Sequence, residues 1–312
     1  MADLTVVILT YNEEKHIARA LESVAAIAEK VFVIDSFSTD RTKEIAEAHG
    51  ATVLQHEFLN YGAQFNWALD NAPIQTRWVA RLDADEYYEP ELVVELERRL
   101  PKLNNEVTGV LLKYKCIFMN RWIKYGGRYP TYLLRIWRNG VGRLENRWMD
   151  EHVVLNAGKT VRLDAHFCDH NLNNLTFFTE KHNQYAIREA VDVVIERRGY
   201  LTNAGNYDEL QRSMSRESFR KRRIKRTLYN RTPNLLAPFL YFLFRYFLLL
   251  GFLDGRAGLI YHSLQGFWFR FLVGAQLQEF ERQLRTAKNS EEFRKELEYL
   301  SGYRIPEDSI YR

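Results

Sequence analysis

Arg77–Tyr88 reads RWVARLDADEYY. Trp78–Leu82 is a short apolar run bounded by charge, which predicts a buried strand with Val79 and Leu82 facing a core. The strand ends in two aspartates at alternate positions, Asp83 and Asp85. In extended backbone, alternate residues point to the same side, so the spacing predicts two carboxylates on one face at the carboxyl end of a strand. Open α/β sheets place their ligand crevice there. Hard divalent cations such as Mg²⁺ or Mn²⁺ take carboxylate oxygens, so the motif points to a metal–diphosphate site. The competing explanation is a solvated acidic turn.

The preceding residues build a sheet to hold that edge. Leu4–Leu9 is a continuous apolar strand with a β-branched centre, followed by the polar turn Thr10–Glu14. A helix is expected from about Lys15 to Ala28, with Ile17, Leu21 and Val24 on one face. Val31–Ile34 forms a second strand ending in Asp35. Ser38-Thr39-Asp40 opens a helix that Gly50 stops. Thr52–Gln55 is a third strand, and Gly62–Asn71 a helix ended by Pro73. Alternation with short loops predicts an α/β fold with a mostly parallel sheet flanked by helices. Three strands end in polar residues on one edge: Thr10–Glu13, Asp35–Ser38 and Asp83–Asp85. The chain has neither G-x-G-x-x-G nor G-x-x-x-x-G-K-[ST], so neither a dinucleotide fold nor a P-loop is supported.

VVILTYNEE (6–14), VIDSFSTDRT (33–42), QFNWAL (64–69) and RLDADEYYEPEL (81–92) resemble, in order, the motifs of family 2 glycosyltransferases with the GT-A fold. The resemblance covers roughly the first third of the chain. It continues more loosely through GGRYPTYLLRIWRNG, MDEHVVLNAGK, EKHNQYAIREA and GFLDGRAGL, which are similar to a bacterial branch that builds lipopolysaccharide core and other surface polysaccharides. It implies transfer of a sugar from a nucleotide-sugar, a UDP-sugar by expectation, to an acceptor hydroxyl with inversion at the anomeric carbon. The implied acceptor is a lipid-linked saccharide or lipopolysaccharide core. Carried over by position, Tyr11, Glu13 and Asp35 would line the nucleobase pocket, and Gln64 and Asn66 would approach the nucleotide. Asp83, with Ala84 beside it, would face ribose and diphosphate, and Asp85 would hold Mn²⁺ or Mg²⁺. Ser36 and Phe65 stand where many relatives carry aspartate and arginine, which leaves the base open.

The middle of the chain supplies candidates for the acceptor side. Val107–Cys116 predicts a strand crossing near the metal edge. The run 118–140 is dense in aromatics and arginines, which suit sugar stacking and phosphate pairing, and Arg128 and Arg135 are the phosphate candidates. Inverting transfer needs a base for the acceptor proton while cations stabilise the departing diphosphate. In the resembling branch a His–Glu pair commonly serves at the position of Asp150-Glu151, so Glu151 is the expected base with Asp150 in reserve. A downstream histidine often completes the metal shell in relatives, and His170 is the candidate. Lys181 and Arg188, on the helix that begins near Lys181, are further basic residues within reach of phosphate or simply on a solvated face.

At 312 residues, with 46% hydrophobic and 27% charged residues, the chain is globular with ample core. The net charge of +4 is too mild to define a partner. Cys116 and Cys168 stand in no metal spacing and are expected as reduced core thiols of a cytosolic protein. MADLTVVILTYNEE lacks a basic leader and reads as a strand rather than a signal peptide. Arg216–Arg231 carries eight basic residues and one acid. The apolar runs Leu235–Phe252 and Leu259–Leu277 follow it, broken by GFLDGRAGL; Pro238 and Arg245 make the first a poor membrane span. Together they predict a helical hairpin on, or dipping into, an anionic leaflet, with a buried helical pair as the alternative. No nucleic-acid motif accompanies the basic run. The expected organisation is a catalytic domain over 1–212, a basic and apolar membrane-associated extension over 213–280, and a charged helix and tail over 281–312. This places the protein in the cytoplasm, peripheral to the inner face of the cytoplasmic membrane. A nucleotidyltransferase and an inactive lipid-binding scaffold are the other classes to weigh. The missing glycine-rich loop disfavours the first, and the intact acidic residues disfavour the second.

Overall fold

The computed structural model describes residues 2–145, 148–149, 151–198 and 236–305. Among these, nine strands form one sheet in the order β3-β2-β1-β4-β8-β6-β11-β5, with β7 paired to β6, and β9 and β10 form a separate ribbon. The first half is β1 (Leu4–Thr10), α1 (Ile17–Val24), β2 (Lys30–Asp35), α2 (Thr42–Ala48), β3 (Thr52–Gln55), α3 (Tyr61–Asn71) and β4 (Trp78–Arg81). β3, β2, β1 and β4 are all parallel. β1 is apolar throughout because it is covered on both sides: Leu4, Val6 and Ile8 join the core that contains α1, while Val7 packs with Phe65 and Trp137 on the other face. The register aligns Thr10 with Asp35 and Val7 with Arg81, which brings the polar ends of three strands to one edge.

Beyond β4 the sheet becomes mixed rather than mostly parallel. It continues through β5 (Glu86–Tyr88), α4 (Pro90–Arg99), β6 (Val107–Phe118), β7 (Arg121–Trp122), β8 (Tyr132–Arg138), β9 (Gly142–Leu144), β10 (Val153–Leu155) and β11 (Lys159–His170). β8 runs antiparallel to β4 and β6, β11 is parallel to β6, and β5 is antiparallel to β11. Between β6 and β8 the chain folds back on β6 as β7 and no helix crosses the sheet, so β8 returns antiparallel to β6.

α5 (Leu175–Arg197) leads to the C-terminal helices α6 (Ala237–Leu243), α7 (Gly255–Tyr261), α8 (Phe269–Gln283) and α9 (Ser290–Ser301), with wider turns over 244–248 and 262–268. α8 and α9 bury Leu277, Phe280, Phe293 and Leu297 against Ala190, Val191 and Val194 of α5. The apolar hairpin is knitted to the β7–β8 connection. Asp254 accepts from the Lys124 and Tyr125 amides, Arg245 Nε donates to Gly126 O (2.8 Å), and the Gly126 amide donates to Leu249 O (2.9 Å). Gly126, at φ +66°, lies so close to the His262 ring that a Cβ would sit 2.2 Å from it. One side of the hairpin is thus a buried pair. The other is apolar and open: Leu236, Leu240, Phe247 and Leu248 are 53, 51, 54 and 73% exposed. Among the described residues no single helix is long and apolar enough to cross a membrane; Ala237–Leu248 and Gly251–Thr286 pass that test only as a pair bent by 73°. The basic run 216–231 lies outside the described residues.

Candidate active site

The site forms where the β1, β2 and β4 ends meet the turn before β5 and the start of α5. Asp83 and Asp85 do not share an extended face. The chain turns at once after β4, with the Glu86 amide donating to Asp83 O (2.9 Å), and the two carboxylates meet different partners. Asp83 receives Arg81 Nε (3.1 Å) and the Tyr61 hydroxyl, with Arg135 at 3.6 Å. Burial alone would raise its carboxyl, but Arg81 and Arg135 outweigh burial and hold it well below the usual carboxylate range. Arg81 also stacks 3.9 Å from the Tyr61 ring centre, and its Nη1 reaches Glu151 Oε1 at 3.2 Å. One buried guanidinium therefore joins Asp83 to Glu151, residues far apart in sequence. Asp150 lies outside the described residues.

Asp85 is the less heavily paired carboxylate. Its Oδ2 accepts from the Asn171 amide (2.9 Å) and faces Lys181 Nζ at 4.0 Å. Asp169 lies nearby on β11 and accepts from the Tyr114 hydroxyl; burial first, and then the Asp85 charge, push its carboxyl up to about 6. Ala84 is buried between the two aspartates.

The nucleobase-side residues cluster, but most are engaged. Tyr11 is 60% exposed on the rim. Glu13 pairs with His16, whose Nε2 accepts from the Leu172 amide, so Nδ1 carries the proton that is donated to Glu13 (2.6 Å). That chain ties the β1 turn to the loop before α5. Asp35 is fully buried and accepts from Thr10, Ser38 and Gln55; its visible role is to hold the strand ends together. Gln64 is buried between His56 and Ser36.

Four expected ligands are placed otherwise than the sequence suggests. Asn66 spends its whole amide on the Leu144 backbone, donating at 2.9 Å and accepting at 3.0 Å, which holds α3 to β9. Arg135 pairs with Glu86 at 2.5 Å and clamps β8 to the Asp83 turn. Arg128 donates to the Tyr114 hydroxyl and lies between the rings of Tyr114 and Tyr261, at 5.3 and 5.5 Å. His170 Nδ1 faces Arg19 (3.3 Å) and its Nε2 donates to Asn120 (3.0 Å), so both ring nitrogens are taken; burial and then Arg19 lower its proton affinity. Charge inside a fold seeks the nearest opposite charge or acceptor, and sequence spacing does not show which one that is. Arg188, the other phosphate candidate, lies over the rings of Phe58 and Tyr303.

No group of three or more His, Cys, Asp or Glu side chains stands together as a preformed ion cage among the described residues. Asp85 still fits a divalent ion, because Mg²⁺ at phosphate sites is held by one or two carboxylates plus substrate oxygens rather than by an all-protein shell.

Residues 5–160, half of the chain, match the family model described as Glycosyl transferase family 2. An uncharacterized glycosyltransferase of Rickettsia typhi is 40% identical over 97 residues, 31% of this chain and 32% of that protein. The low-salt glycan biosynthesis hexosyltransferase Agl6 of Haloferax volcanii is 39% identical over 110 residues, 33% of this chain and 24% of that protein. The chain thus spans about a third or less of these relatives. Glucosyl-3-phosphoglycerate synthase of Mycobacterium tuberculosis, solved with Mn²⁺ and UDP, is 24% identical with a TM-score of 0.31 over 36% of this chain and 43% of that one, too slight a likeness to carry anything further.

Proposed function

Because the chain belongs to glycosyl transferase family 2, we propose that it is an inverting, hexosyltransferase-type enzyme that moves a sugar from a nucleotide-sugar to a hydroxyl acceptor. The observation that carries this is the bridge from Asp83 through Arg81 to Glu151 at the carboxyl edge of the parallel strands. It joins the two acidic motifs that donor binding and acceptor activation need.

In this reaction the acceptor oxygen forms a bond to the anomeric carbon while the bond from that carbon to the diphosphate oxygen breaks, its electron pair leaving with the diphosphate. Glu151 takes the acceptor proton. Arg81 orients Glu151, and Asp83 fixes Arg81. Tyr11 and Glu13 border the base, and Asp85 holds the divalent ion, Mn²⁺ or Mg²⁺. That ion supplies charge neutralisation on the diphosphate. The proposed donor is a UDP-sugar.

The proposed acceptor is a lipid-linked saccharide or lipopolysaccharide core, reached from the cytoplasmic face of the membrane. The exposed apolar side of the hairpin supports that placement, next in sequence to a run of eight basic residues suited to anionic lipid. Nucleotide release from a panel of UDP-, GDP-, ADP- and dTDP-sugars, with Mn²⁺ and with EDTA, tests the donor. Release from none of them, with and without lipid acceptor, would refute the proposal.

A further inference from the structure

Arg81, Arg128 and Arg135 are committed elsewhere, and among the described residues Lys181 faces the Asp85 carboxylate. Arg135 is locked to Glu86, Arg81 is shared between Asp83 and Glu151, and Arg128 is held between two tyrosines. Arg19 donates to the backbone oxygens of Asp85 and His170. Lys181 is different. It lies in the second turn of α5, beyond the family-matched residues, and its Nζ stands 4.0 Å from Asp85 Oδ2, at the outer limit of an ion pair. Its side chain is 32% exposed. Phe177 and Tyr185, one helical turn before and after, flank it with ring centres 5.8 Å from Nζ. Tyr185 also shares a side-chain hydrogen bond with it. Asn171, in the loop before α5, fixes Asp85 from the same side. An ammonium that is bonded to Tyr185, held only at long range by Asp85, partly exposed and walled by two rings is poised to exchange its carboxylate for another anion.

We propose that Lys181 binds the diphosphate of the donor. Its ammonium moves from Asp85 to an oxygen of the distal phosphate, and Asp85 is released to hold the ion. The inference rests on the nucleotide-sugar donor proposed above. When the bond from the anomeric carbon to the diphosphate breaks, the electron pair stays on the phosphate oxygen, and the ammonium neutralises part of that charge. A lysine suits this exchange, because it is a compact charge with rotatable donors on a flexible stem.

The test is calorimetric titration of the whole chain with UDP and UMP, in EDTA and in Mg²⁺, for wild type, Lys181→Met and Lys181→Arg. UDP affinity in EDTA should fall about tenfold or more in Lys181→Met, the scale of one charge-assisted phosphate contact. UMP affinity should change less than about twofold, because the lost contact is to the distal phosphate. Lys181→Arg should restore part of the UDP affinity, and both variants should melt near wild type. Equal weakening of UDP and UMP would make Lys181 a structural counter-ion and overturn the proposal, as would no weakening of either. If wild type prefers another base, the comparison moves to that diphosphate–monophosphate pair, and only the uridine assignment falls. If wild type binds no nucleoside diphosphate, the donor assignment falls and Lys181 with it.

Discussion

Asn66→Ala separates a structural role from a ligand role at a residue that the family resemblance places at the nucleotide. The substitution deletes one donor and one acceptor, and leaves the buried Leu144 amide and carbonyl facing an alanine. A net hydrogen bond contributes about 0.5–1.5 kcal/mol, and orphaning its partner costs more, so two bonds to one residue predict a loss of about 2 kcal/mol. The nearby Arg143–Asp70 pair is more than half exposed and will not compensate. Unfolding entropy of about 2.1 cal/mol/K per residue over 312 residues gives about 0.65 kcal/mol/K, so melting as one unit should shift down by about 3 °C. The assay is a thermal scan with a urea titration, beside UDP affinity in Mg²⁺ at a temperature where both proteins are folded. Stability should fall and UDP affinity should stay within about twofold of wild type. Unchanged melting with UDP affinity down tenfold would refute the reasoning and restore Asn66 to the nucleotide.

Asp85→Asn should abolish the enhancement of nucleotide binding by Mn²⁺ and stop transfer while the melting temperature holds; a metal effect that survives would refute its role as the ion ligand. Glu151→Gln keeps an acceptor for Arg81 but no base, so kcat should fall about 100-fold or more with donor affinity near normal; collapse of donor binding would mean that Glu151 serves the nucleotide instead. Vesicle flotation should be strong with anionic lipid, weaker in high salt, and reduced by Phe247→Asp with Leu248→Asp. Replacing Arg220, Lys221, Arg222 and Arg223 by glutamine should remove the lipid-charge preference, and equal flotation on neutral lipid by wild type would refute the electrostatic part.

The N-terminal half of the fold was legible because its cues are local. An apolar run such as Leu4–Leu9 is buried on both faces, and Thr52–Gln55 emerges as a strand with the bounds its flanking turns set. From β5 onward single elements were legible, Val107–Cys116 within β6 among them, but their pairing was not. Whether β8 pairs with β4 or β6 depends on long-range register, and the tight turn at Asp83–Glu86 overrides the period-2 expectation for its aspartates. Residue types at the site were legible and their partners were not. Arg128 and Arg135 had the right chemistry for phosphate, but neutralising Glu86 and Asp83, and burying a guanidinium between rings, are demands of the folded interior. Asp169 carried no motif signal, and Arg81, although it opens the motif 81–92, was given no role by it. Lys181 did appear as a basic residue on a helix, yet only the packing of α5 shows that it meets Asp85 rather than solvent.

The hairpin and the site are not separable parts. Tyr261 of α7 is buried at 4% exposure, and its ring covers one face of Arg128. Arg128 donates to the Tyr114 hydroxyl, Tyr114 donates to Asp169, and Asp169 lies in the field of Asp85. The hairpin that turns Phe247 and Leu248 outward therefore also supplies, through Tyr261, a wall to the chain of groups ending at Asp85. Removing residues 236–305 would uncover Arg128 and Tyr114 and leave Ala190, Val191 and Val194 of α5 without α8. Loss of activity in such a truncation would follow from that exposed core whether or not the protein touches lipid. Substitutions on the outward side, such as those at Phe247 and Leu248, change the apolar face without removing Tyr261, Arg128 or Asp169. If those two aspartates abolish flotation yet spare transfer to a soluble acceptor, the hairpin delivers the site to the membrane. If they impair both equally, the outward side supports the site and not the membrane.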